Sequence, residues 1–106
     1  MNFREELRKS KYYIAENEEV EIILKKLLNY FQKEYFQKGI FSEKKVIFEK
    51  VTFLSEVSIS CEIANNKIFY MRVKNENVFY LLEEKFKDEG YKVDVLFTKF
   101  SVRIKP

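Results

Sequence analysis

NEEVEIILKKLLNYFQKEYFQKG, residues 17–39, is the stretch that decides the fold. Val20, Ile23, Leu24, Leu27, Leu28, Phe31 and Tyr35 recur at three- and four-residue spacing, which puts them on one side of an α-helix. Asn17 is the expected N-cap, because its side-chain oxygen can accept an orphan backbone N–H of the first turn. Glu18, Glu19 and Glu21 then set negative charge against the positive end of the helix macrodipole. Lys33 and Lys38 lie toward the other end, and Gly39 can take the left-handed conformation that stops a helix. A stripe this long needs a surface to lie on, and the chain that follows supplies one as strands.

Upstream, residues 2–14 read as a short leading helix. Phe3, Leu7 and Ile14 form a thin apolar edge, and Arg8, Lys9 and Lys11 a basic one. A break is expected over residues 15–17, so that the leading helix over residues 1–14 stands partly apart. Downstream, residues 46–54 are β-branched and aromatic, with apolar groups on both faces: Ile47, Val51 and Phe53 on one, Val46, Phe48 and Leu54 on the other. Such a strand is either covered twice or twisted by an irregularity near Glu49 and Lys50. In residues 57–64, Val57, Ile59, Cys61 and Ile63 alternate with Ser58, Ser60 and Glu62. A turn is expected at Asn65-Asn66, with residues 67–74 returning as a strand. An odd loop centred on Asn66 keeps the apolar faces together, setting Ile63, Cys61 and Ile59 against Phe69, Met71 and Val73.

Asn75 is positioned to cap a helix over residues 76–89, with Val78, Phe79, Leu82 and Phe86 as its buried stripe and Gly90 as its stop. Two strands close the pattern. Tyr91, Val93, Val95 and Phe97 are expected inward on the first, and Phe100, Val102 and Ile104 on the second, with Thr98-Lys99 as a tight connection. The fold class is therefore α+β in the order helix-helix-β-β-β-helix-β-β. N-terminal helices and one later helix pack on a mostly antiparallel sheet of about five strands. At 106 residues the chain is expected to be a single α+β domain, residues 1–106.

Composition narrows the function classes. The net charge of +3 comes from 20 basic and 17 acidic residues, well interleaved, so no charged block singles out a polyanionic partner. No apolar run approaches the roughly 18 residues of a membrane span, and the first residues carry acids where a secretory signal needs an apolar core. The lone Cys61 leaves no internal disulfide and fits the cytoplasm, a host cell's if the gene is phage-borne. Lys, Asn, Ile, Phe and Tyr are abundant while Gly and Pro are scarce, which fits an A+T-rich bacterial genome or a phage or mobile element within one.

The absence of His removes the commonest general base and metal ligand. One Cys cannot build a thiolate zinc site, and two Gly cannot build a phosphate-cradling loop. No catalytic, metal or cofactor-binding residue is assigned, and no enzyme is expected. Glu16, Glu18, Glu19 and Glu21, with Glu83, Glu84, Asp88 and Glu89, read as solvated helix faces rather than a metal cleft. Two surfaces remain. Phe3, Leu7, Tyr12 and Tyr13 on the leading helix are candidates for binding a protein, a partner or a second copy, as in an inhibitor, an adaptor or a self-associating regulator. Tyr70, Arg72, Lys74, Lys92, Arg103 and Lys105 form the alternative, a basic outward sheet face for nucleic acid, with cations on phosphates and bases on the ring.

Overall fold

The computed structural model describes residues 11–39 and 42–105, and the side chains of all of these except residues 11–14. The elements run α1 (Lys11–Lys38), β1 (Lys44–Phe53), β2 (Glu56–Ile63), β3 (Asn66–Val73), α2 (Asn77–Asp88), β4 (Val93–Leu96) and β5 (Lys99–Ile104). The strands form one antiparallel sheet in the order β3-β2-β1-β5-β4. The α+β class and the five-stranded antiparallel sheet are those expected.

Among the described residues the N-terminal segment is a single helix, α1, and residues 2–10 of the expected leading helix lie outside them. Residues 15–17 continue α1 without a break, so Asn17 lies inside the helix rather than at its cap. Ala and Glu are good helix formers, and nothing here matches the helix-breaking power of Gly or Pro. Continuity also has a structural use. Glu16 and Glu19, three residues apart and so on one face, both reach the β3–α2 junction. Asn75 Nδ2 donates to Glu16 Oε1 at 2.9 Å, and the Lys74 backbone N–H donates to Glu19 Oε1 at 2.9 Å. Asn75 Oδ1 in turn accepts the Asn77 N–H at 2.9 Å, satisfying one orphan donor of α2. Bonds of this kind are each worth about 1 kcal/mol.

Val20, Ile23, Leu27 and Phe31 of α1 meet Val78, Phe79, Leu82 and Phe86 of α2 over a single sheet face. That face carries Val46 and Phe48, Ile59, Cys61 and Ile63, Val73, and Phe100, Val102 and Ile104. At its centre Phe100 lies 5.2 Å from Phe48, 5.1 Å from Phe79 and 6.2 Å from Phe86, ring centre to ring centre. Burying a phenylalanine fully is worth ~2–3 kcal/mol. Leu28 and Tyr35, expected on the buried stripe, are exposed, because only the core side of α1 is covered.

α2 ends in a tight cap. Gly90, at φ +91°, donates to the Lys87 carbonyl and Tyr91 to the Phe86 carbonyl, both at 3.0 Å, and the Tyr91 and Phe86 rings meet edge to face at 5.7 Å. This is the Schellman arrangement with its apolar contact.

Three strand expectations need correction. β1 is regular, its register against β2 unbroken from Val46 to Phe53. Val46, Phe48, Lys50 and Thr52 face the helices, and no described element covers Val51 and Phe53 on the other side. The β2–β3 turn is Ala64-Asn65, both at positive φ, as the twist of a two-residue hairpin favours. A bulge then restores the face: Glu62 pairs with Lys67 but Cys61 with Phe69, leaving Ile68 as the extra residue. Cys61, Ile59, Phe69, Met71 and Val73 share the apolar face as expected, but the pairs are Cys61–Phe69, Ile59–Met71 and Val57–Val73. On β4, Val93 is half-buried, Val95 is exposed, and Tyr91 and Phe97 lie outside the strand.

Candidate functional site

The sequence-derived surfaces fare differently. Phe3 and Leu7 lie outside the described residues, as do the side chains of Tyr12 and Tyr13. The backbone of Tyr12 and Tyr13 belongs to the turn of α1 just before Glu16. Since Glu16 and Glu19 reach Asn75 and Lys74, that turn sits at the end of the sheet where β3 finishes and the β1–β2 hairpin turns.

Tyr70, Arg72, Lys74, Lys92, Arg103 and Lys105 are all exposed, but they do not converge. Arg72 pairs through Ser58 to the level of Val51 on β1, while Arg103 pairs with Lys45. Those levels differ by six residues along β1, roughly 20 Å at a strand's rise, with further lateral separation across the strands between. Arg72 is also ion-paired with Glu56 at 3.2 Å, and Lys99 with Glu49 at 3.4 Å, so the middle of the face is mixed in charge. The set splits into Tyr70, Arg72 and Lys74 near the β3 edge, and Lys92, Arg103 and Lys105 at the opposite corner. Lys45, which sequence reading missed, joins the second group by standing directly opposite Arg103.

Two further surfaces were not legible beforehand. The first is the end of the sheet formed by two hairpin turns. Phe53 pairs with Glu56 around Leu54-Ser55, and Leu96 with Lys99 around Phe97-Thr98. In each turn only the first loop residue has positive φ, +56° at Leu54 and +54° at Phe97. That is the position a type II′ hairpin gives to glycine. Bulky residues there carry strain of about 1–3 kcal/mol, and Leu54 and Phe97 are 85% and 93% exposed. The second turn is held beside the first hairpin by the Lys50 N–H donating to the Thr98 carbonyl at 2.7 Å. With Val51, Phe53 and Leu96, also exposed, the turns make one apolar end.

Beneath this end Lys50 points to the helix side. Its Nζ donates to the Tyr80 hydroxyl at 3.2 Å and to Glu76 Oε2 at 3.1 Å, and these bonds raise its pKa. The trio ties the apolar end to the start of α2.

The second surface is a groove of about 590 Å³ between the C-terminal half of α1 and β3. Lys26, Asn29, Tyr30, Lys33, Phe36 and Gln37 of α1 face Ile68 and Phe69 across it. The bulge turns these two consecutive apolar residues to the same side, where both pack half-buried against the core.

Elsewhere the chemistry is structural. Glu16 and Glu19 are engaged by the β3–α2 junction, and among the described residues no three Asp, Glu or Cys side chains are grouped to hold a metal ion. No described helix is long and apolar enough to cross a membrane. No protein-family model, curated protein or solved structure matches the chain. The functional reading therefore rests on geometry.

Burial pushes the Cys61 thiol up from 9.0 to about 12. The folded chain holds this proton while the unfolded chain releases it at the ordinary value. The stability contributed by keeping this thiol neutral is thus intact below pH 9.0 and is lost as pH rises through the window to about 12. Denaturant midpoints measured across that window are expected to fall less steeply for Cys61→Ala than for wild type; parallel declines would contradict the buried thiol.

Proposed function

We propose that the protein is a small non-enzymatic protein-binding module, an inhibitor, adaptor or self-associating regulator acting in the cytoplasm of an A+T-rich bacterium or of a phage host. The observation that carries this reading is the apolar end built on Leu54 and Phe97. Folding alone gives no reason to hold large apolar side chains in left-handed backbone and project them into water, since glycine at either turn would relieve strain. Exposed aromatic and aliphatic side chains clustered on a rigid frame are the material of protein interfaces. The backbone of Tyr12 and Tyr13, in the first described turn of α1, lies toward the same end of the sheet.

A second reading, polyanion binding, is supported by the corner of Lys45, Lys92, Arg103 and Lys105. Like charges directly opposite on neighbouring strands are destabilising, and Lys45 faces Arg103 with no acidic partner for either among the described residues. Nucleic-acid phosphates would relieve that repulsion. This reading uses three of the six residues of the sequence-derived set and leaves Tyr70, Arg72 and Lys74 out.

The two readings separate by mutation. Leu54→Gly with Phe97→Gly is expected to stabilise the fold by ~0.5–1 kcal/mol per site, strain relief outweighing the added flexibility of glycine. The same variant is expected to lose self-association in light scattering, or partner recovery from host lysate. A lower melting temperature would contradict the strain, and undiminished association or recovery would contradict the interface. For the corner, oligonucleotide affinity is expected to fall with salt, and the slope to drop by about one for each phosphate-contacting cation removed in Lys45→Ala and Arg103→Ala. No binding at low salt would discard the second reading.

A further inference from the structure

We propose that the groove between α1 and β3 is a second binding site, which takes an extended acidic segment of a partner protein as an added strand on the outer edge of β3. This site is separate from the hairpin end and does not rest on it. β3 is the terminal strand of the sheet, and no described strand pairs with its outer edge. Alternate residues of an edge strand present unpaired N–H and C=O groups, and an incoming strand satisfies them while its side chains enter flanking pockets.

The groove supplies both the pocket and the selectivity. Ile68 and Phe69 form one side of it, and Tyr30 and Phe36 contribute aromatic surface from α1. Phe36 is 80% exposed, so its ring is available to a ligand. Lys26 and Lys33 stand on the helix wall, no acid lines the groove, and neither lysine has an acidic partner among the described residues. Beside the groove, Glu34 is already matched to Lys38 at 3.3 Å. The site thus has apolar surface for alternate large side chains and unmatched positive charge for the residues between them. An extended segment alternating acidic and large apolar residues is its complement.

Charges on β3 itself argue against a second copy of this chain. Antiparallel pairing of two β3 strands about their centre would bring Lys67 of one close to Arg72 of the other, a like-charge contact on a strand edge.

The test selects peptides from a random linear display library on the full chain. The best of them are synthesised with a fluorescent label and titrated by anisotropy. Enriched peptides are expected to alternate acidic with large apolar residues and to bind wild type. Lys26→Glu with Lys33→Glu is expected to weaken them about tenfold or more, and Phe36→Ser to weaken them further. N-methylating alternate peptide amides should abolish binding, and β3 amides should gain hydrogen-exchange protection on complex formation. All three residues sit on the exposed side of α1, so unchanged thermal melts serve as the folding control. Peptides without acidic residues, binding indifferent to the two charge reversals, protection gained elsewhere than β3, or no enrichment at all would each overturn the groove. Peptides that instead lose affinity with Leu54→Gly and Phe97→Gly would overturn the groove while supporting the hairpin end.

Discussion

Four phenylalanine rings hold the later part of the chain together. Phe48 of β1 and Phe100 of β5 stack 5.2 Å apart across neighbouring strands, and Phe79 and Phe86 of α2 close over them. With these contacts in place α2 lies over β1 and β5, and the short β4 is left to pair along the outer side of β5. α1 then completes the roof over the β2 and β3 side, tied at its beginning to the β3–α2 junction by Glu16 and Glu19. Among the described residues two helices cover one face of five strands. The outer edge of β3, the hairpin turns and the reverse face are left to the solvent among the described residues, and it is there that the proposed interaction surfaces lie.

Much of this was legible in the sequence, for reasons tied to particular residues. The alternation from Val57 to Ile63 could only be a strand with Cys61 inside. The run Val78, Phe79, Leu82, Phe86 between Asn75 and Gly90 could only be a capped amphipathic helix, and the structure gives both glycines positive φ. What failed was reasoning about local signals that tertiary contacts override. Asn17 has the chemistry of a cap, but Glu16 is needed in the same helix to meet Asn75. Leu28 and Tyr35 fit the helical period, yet they lie off the side of α1 that the core covers.

The candidate sites were less legible than the fold. Leu54 and Phe97 read as strand residues, because bulky apolar side chains are expected to avoid the left-handed conformation they adopt. Their strain becomes visible only with the register known. The groove is equally hidden, since Ile68 joins Phe69 on one side only through a bulge placed by the Ala64-Asn65 turn. The basic residues show the reverse failure. Arg72 and Arg103 are both outward, but strand order β3-β2-β1-β5-β4 sets them far apart, and strand order is what alternation cannot supply.

The measurement that bears most directly on this account is residue-resolved hydrogen exchange on the free, dilute chain. The core amides of β1, β2 and β5 are expected to exchange slowest, as strands paired on both sides or through the ring cluster. Within β3 the account requires alternation: amides aimed at β2 slow, and those aimed outward fast. That pattern would establish an open edge bounded by a closed core. Uniformly slow exchange along β3 would mean that its outer edge is already paired in the free protein, and would contradict the account.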